Sequence, residues 1–98
     1  MGFVQIVEYM SSRTDEIEKL INDWRVATEG KRTTARVLVC KDRDKANHWY
    51  TIVEFPSYEA AMKNSSLPET AQMSEQMAKL CDGPPSFVNL DLERVEES

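Results

Sequence analysis

The chain has 98 residues, a length that accommodates one domain and excludes a second independent core. Its 12 basic and 17 acidic side chains leave a net charge of −5, a field that repels a phosphate backbone and argues against nucleic acid as a partner. With 41% apolar residues and only three Gly and four Pro, it holds enough material for a core and too little low-complexity sequence for disorder.

Phe3 to Met10 alternates Val4 and Ile6 with Phe3, Val7 and Tyr9, which predicts a strand with apolar groups on both faces. Thr14 is placed to cap a helix whose first turn carries Asp15 and Glu16. Ile17, Leu20, Ile21 and Trp24 then recur at helical spacing until Gly30 offers a left-handed stop. Thr34 to Lys41 and Trp49 to Phe55 are rich in β-branched and aromatic residues, and the charged stretch Asp42 to Asn47 between them reads as a hairpin connection. Ser57 caps a short helix through Tyr58, Ala60, Ala61 and Met62, which polar Asn64, Ser65 and Ser66 interrupt. Pro68 opens a further helix with Met73, Met77, Leu80 and Cys81 on one stripe, ended by Asp82-Gly83-Pro84-Pro85. Phe87 to Val95 closes the chain as a strand with Val88, Leu90 and Leu92 on one face, and residues 96–98 should fray.

The order is βαββ, a broken helical segment, then β. It predicts an α+β, ferredoxin-like antiparallel sheet with the helices on one face, a single domain over residues 1–98. One helical layer covers only one of the two apolar faces of strands one and three, so a homodimer that pairs the other faces is expected. No apolar run approaches the roughly 20 residues that span a bilayer, and the N-terminus lacks the sections of a secretory signal, so no membrane partner and a soluble, cytoplasmic protein are expected. Cys40 and Cys81 lie far apart with no metal-binding spacing, so free thiols and no metal are expected, and the Asn64-Ser65-Ser66 triplet carries no weight without a secretory signal.

The stretch from Tyr50 through Phe55-Pro56-Ser57-Tyr58 to Met62, with Ser66-Leu67-Pro68-Glu69-Thr70 and the late Gly83-Pro84-Pro85-Ser86-Phe87, resembles the antibiotic biosynthesis monooxygenase-like family. The resemblance covers nearly the whole chain as an element pattern. It implies a dimeric α/β barrel with a pocket between helices and sheet, used by some members to oxygenate polycyclic phenols without metal or flavin. Such chemistry asks for shape, a dry cavity and one or two groups that stabilise a phenolate. A haem-degrading branch uses an Asn, a Trp and a His at positions that fall near Glu8, Met62 and Gln72 here. Gln72 offers no axial imidazole and Met62 no indole, so no haem and no other cofactor is expected.

Candidate catalytic residues are His48, the only histidine; Tyr50, on the same strand face; and Glu8, which shares a face with Val4 and Ile6 and would act as a base if the helices cover that face. Candidate substrate-binding residues are Trp24 on the apolar stripe of the first helix, Met62, Met73 and Met77 as a polarizable lining, and Gln72 as a donor to a substrate carbonyl. Each has a plain alternative: a strand-end histidine, an interface tyrosine, a wet carboxylate, a core indole, gap-filling methionines and a rim glutamine. Arg36, Asn89 and Asp91 are accounted for by a salt bridge or a wet barrel interior. Two functions follow: a cofactor-independent monooxygenase-like homodimer acting on a small aromatic or quinone-type molecule, or a non-catalytic small-molecule-binding protein of the same fold. Haem binding without degradation is a third and weaker option, since the helical wall offers no histidine.

Overall fold

In a computed structural model, which describes residues 2–97, the chain runs β1 (Phe3–Met10), α1 (Thr14–Ala27), β2 (Arg36–Lys41), β3 (His48–Phe55), α2 (Tyr58–Ser65), α3 (Pro68–Leu80) and β4 (Ser86–Asp91). The strands form one antiparallel sheet in the order β2-β3-β1-β4. This is the α+β, ferredoxin-like arrangement expected from the sequence.

Local chemistry sets the element ends. Ser57 Oγ accepts the Ala60 N–H at 3.0 Å and caps α2 as expected, and Pro68 sits in the first turn of α3, where its missing N–H costs nothing. α1 departs from expectation because Thr14 is the first helical residue and not the cap. The buried Ser11 hydroxyl organises that corner, accepting from the Arg13 N–H at 3.0 Å and donating to the Leu80 carbonyl at 2.7 Å. α1 ends at Ala27, three residues before Gly30, which takes the left-handed conformation (φ 81°) in the turn that follows.

Two further boundaries are corrected. Asn64 and Ser65 extend α2 where an interruption was expected, with Asn64 buried and Ser65 Oγ donating to the Ala61 carbonyl at 3.1 Å. β4 ends at Asp91 and not at Val95, because β1 supplies partners only from Phe3 onward; one more bond, from the Leu92 N–H to the Gly2 carbonyl at 2.9 Å, finishes the pairing. Beyond it residues 92–97 carry no regular structure, and Ser98, part of the expected frayed tail, lies outside the described residues.

The pleat divides the sheet by parity. Phe3, Val7 and Tyr9 of β1 and Trp49, Val53 and Phe55 of β3 face the helices, with Phe3, Tyr9 and Phe55 at most 5% exposed. Two buried clusters hold the layers together. Phe3, Phe55 and Ala61 anchor α2 at one end of β1, while Tyr9, Ile17 and Met77 anchor α1 and α3 at the other. The opposite face carries Val4, Ile6, Leu38, Ile52, Val88 and Leu90, with no layer of the described residues over it. Among the described residues no helix is long and apolar enough to cross a membrane.

Candidate functional site

Between the two buried clusters the layers part. β1 places Gln5 and Val7 there, midway between Phe3 and Tyr9. β3 adds Thr51 and Val53, β2 adds Val37 and Val39, and β4 adds Phe87. The cavity roofed by α1 and α3 has a volume of about 220 Å³. Because all four strands contribute, it is a slab crossing the full width of the sheet, about 14 Å for four strands. Residues at both ends are exposed: Val39 by 54% on the β2 side and Phe87 by 55% on the β4 side.

Trp24 and Met73 form much of the roof, and Met77 closes it toward the Tyr9 cluster. The indole is locked in place. Its Nε1–H donates to Thr70 Oγ1 on α3 at 2.9 Å, and the Arg32 guanidinium lies 5.6 Å from the ring centroid. The polar groups on the wall (Gln5, Thr51, Ser65, Thr70 and Ser74) are all neutral. Gln5 is oriented by donating to Asn89 Oδ1 at 3.0 Å, which gives Asn89 a structural role.

Of the eight residues singled out from the sequence, three line this cavity: Trp24, Met73 and Met77. The other two binding candidates are corrected. Met62 lies 42% exposed on α2, and Gln72 faces a depression on the outer surface between α1 and α3. Neither reaches the slab, since the helical face that carries them points away from the sheet.

The three catalytic candidates cluster on the other side of the sheet. Antiparallel register puts Glu8 opposite Tyr50 and Met10 opposite His48, so all three side chains share the open face at one end of β1 and β3. His48 Nε2 lies 3.2 Å from Glu8 Oε1, off the line of a hydrogen bond, and the His48 and Tyr50 rings are 5.3 Å apart. Tyr50 donates to Asp42 Oδ2 at 3.3 Å. Asp42 Oδ1 accepts the Asp44 and Lys45 N–H groups at 2.9 and 3.1 Å, so this carboxylate also ties the β2–β3 hairpin. The Asp44 N–H holds Asp42 below the usual carboxylate range, helped by the Lys45 N–H and the Tyr50 hydroxyl; burial with the Glu8 and Asp42 charges pushes the Tyr50 phenol up. As a base for the helix-side cavity the trio is ruled out by parity: the helices cover the Phe3–Tyr9 face, not the Val4–Ile6 face that Glu8 shares.

Among the cavity wall residues missed in the sequence are Val37, Val39, Thr51, Val53, Gln5, Thr70, Ser74 and Phe87. Strand alternation groups Val37 with Val39 and Thr51 with Val53. The pairing of Val39 with Thr51 and Val37 with Val53 that assembles them is a property of register, which needs the hairpin geometry. Arg36 forms the expected salt bridge, its Nη2 2.8 Å from Glu54 Oε2, on the open face. Among the described residues no cluster of His, Cys, Asp and Glu is arranged to hold a metal ion.

Nearly the whole chain superposes on solved structures. SnoaB, a cofactor-independent oxygenase from Streptomyces nogalater, matches with a TM-score of 0.80 at 12% identity over 96% of this chain and 95% of that one. The chain shares the fold of solved proteins named as antibiotic biosynthesis monooxygenases. Rv0793 from Mycobacterium tuberculosis matches over 100% and 99% of the two chains (TM-score 0.77, 13% identity), and an antibiotic biosynthesis monooxygenase over 96% and 100% (TM-score 0.74, 14% identity). The sequence matches no protein-family model and no curated protein. At these identities the likeness shows the fold, and the chemistry has to be argued from this chain's own cavity.

Proposed function

We propose that this chain is a cofactor-independent, monooxygenase-like protein that holds a small aromatic or quinone-type molecule in the slab between helices and sheet, working as a cytoplasmic homodimer joined through the open sheet face. The observation that carries this reading is the cavity: flat, lined by aliphatic and thioether side chains, roofed by a pinned indole and furnished only with neutral hydrogen-bonding groups. An apolar cavity of roughly 150 Å³ takes up benzene, so about 220 Å³ suits one or two fused rings. The fold shared with a protein named as a cofactor-independent oxygenase supports the choice of reaction.

A naphthol bound there needs little from the protein. Its phenolate gives one electron to dioxygen, and the phenoxyl–superoxide pair combines into a hydroperoxide. Loss of water from that hydroperoxide leaves a quinone, so one oxygen atom enters the product and the other leaves as water. Thr51, Thr70, Ser74 and Gln5 offer hydrogen bonds to the substrate oxygens, and the apolar walls keep bulk water from the radical pair. No lining group titrates near neutrality, so the substrate's own acidity supplies the phenolate. The same feature supports the second reading, a protein that binds such a molecule without transforming it.

On the open face Val4, Ile6, Leu38, Ile52, Val88 and Leu90 form the patch for the second protomer, and His48, Tyr50 and Glu8 stand at its end as interface groups. Oxygen uptake with a naphthol tests the assignment. The native protein is expected to consume dioxygen and release the naphthoquinone, and Val53→Phe, which fills the slab, to lose both binding and uptake. Tight binding of the naphthol without uptake would select the binding protein, and equal behaviour of Val53→Phe would place the ligand elsewhere.

A further inference from the structure

On the open face of the sheet, His48 Nε2 is buried and makes no hydrogen bond, although Glu8 Oε1 lies only 3.2 Å away. Among the described residues Glu8 pairs with no Lys or Arg. The carboxylate at the far end of the same face is already neutralised within the protomer, since Arg36 Nη2 stands 2.8 Å from Glu54 Oε2. One pair is thus left unsatisfied, an imidazole nitrogen and a carboxylate side by side, on the face assigned to a second protomer.

Their separation is that of two ligands on one ion. A tetrahedral zinc-type cation about 2.1 Å from each ligand atom holds those atoms about 3.4 Å apart, and a neutral imidazole with a carboxylate is a donor set such ions accept. One protomer supplies only these two ligands, so among its described residues no complete cluster exists. β3 and β1 are the inner strands of the order β2-β3-β1-β4. A twofold axis between paired sheets, parallel to these strands, lays β3 of one protomer over β1 of its partner and brings like ends together. With the sheets about 10 Å apart, the two His–Glu pairs meet from opposite sides near the mid-plane. Without a cation this pairing buries two like carboxylates together, which is costly. A divalent ion held by two neutral imidazoles and two carboxylates leaves no net charge.

We propose that the homodimer binds one zinc-type divalent cation at the end of its paired open faces, held by His48 Nε2 and Glu8 from each protomer. The ion is structural: it lies across the sheet from the slab, closes one end of the interface and selects the axis along the strands. This inference rests on the pairing of open faces, and the experiment separates the two. Zinc chloride is the probe. Calorimetry gives its stoichiometry on the native chain, and sedimentation equilibrium gives the dimer dissociation constant with zinc and with EDTA.

One zinc per two chains is expected. At free zinc about 100 times its own dissociation constant, the dimer constant should fall about 100-fold relative to EDTA. His48→Gln and Glu8→Gln should each abolish the tightening; Glu8 is 43% exposed on the single protomer, so Glu8→Gln leaves the fold intact. Cys40→Ser, which removes the exposed thiol opposite Tyr50 on the same face, should keep it. Zinc bound at one per chain, tightening that survives Glu8→Gln, or tightening lost with Cys40→Ser overturns the site. A native dimer that takes up no zinc also overturns it and leaves the pairing of open faces standing. A chain that stays monomeric with and without zinc overturns both.

Discussion

Tyr9 shows how a single side chain ties the fold to pH. Its ring is 5% exposed between Ile17 and Met77, and burial pushes the phenol above its ordinary value of 10.0; the neighbouring Thr51 hydroxyl offsets part of the rise and the Cys81 thiol adds to it. Burial, with the Asp82 charge, likewise raises the Cys81 thiol above its ordinary 9.0. For an acid whose folded pKa is raised, the unfolded chain loses its proton first. The stabilising contribution is complete below the ordinary value and declines as pH climbs toward the folded one. Urea midpoints measured between about pH 7 and about pH 11 should therefore fall on the alkaline side, first from Cys81 and then from Tyr9. Tyr9→Phe keeps the ring and removes the phenol's share of that slope; an unchanged slope would show that the phenol is not confined as described.

At the level of elements, the alternation of β1 and β3 decides what each residue can do. Both faces of these strands are apolar in the sequence, and the choice between them was not legible there. It depends on the α1 and α3 stripes meeting Tyr9 rather than Ile6, a tertiary event. Hence Trp24, Met73 and Met77, read from helix periodicity, line the cavity, while Glu8, whose role as a base was conditional on the helices covering the Val4–Ile6 face, stands with His48 and Tyr50 on the open side. Element order was legible because Ser57, Pro68 and the Asp42–Asn47 turn act locally. The continuation of α2 through Asn64 and Ser65 was not, since it rests on burial of Asn64 and back-bonding by Ser65.

The open face makes a prediction of its own. Val88 is 47% exposed, so Val88→Glu does little to a single protomer but would plant a charge in the proposed sheet-to-sheet contact. Sedimentation should show a dimer for the native chain and a monomer for the variant, each with native circular dichroism. A native monomer would refute the pairing of open faces.

At the scale of the molecule, two buried clusters at the ends of β1 prop the helical layer over the sheet and leave a slab between them. Interiors normally close such spaces, because lining atoms that lack partners forfeit their dispersion contacts. Retaining this one is coherent with a ligand that completes the packing. The shared fold extends over nearly the whole chain, and the slab it encloses has a wall with no charged side chain.

The most direct test of the slab as the ring-binding site is a methyl-resolved NMR titration with a naphthol. The methyl groups of Val7, Val37, Val39, Val53, Met73 and Met77 are expected to shift together and saturably, while those of Val4, Ile6, Leu38, Ile52 and Val88 across the sheet stay in place. Shifts confined to the second set, beside His48, Tyr50 and Glu8, would contradict the account and return the chemistry to the open face.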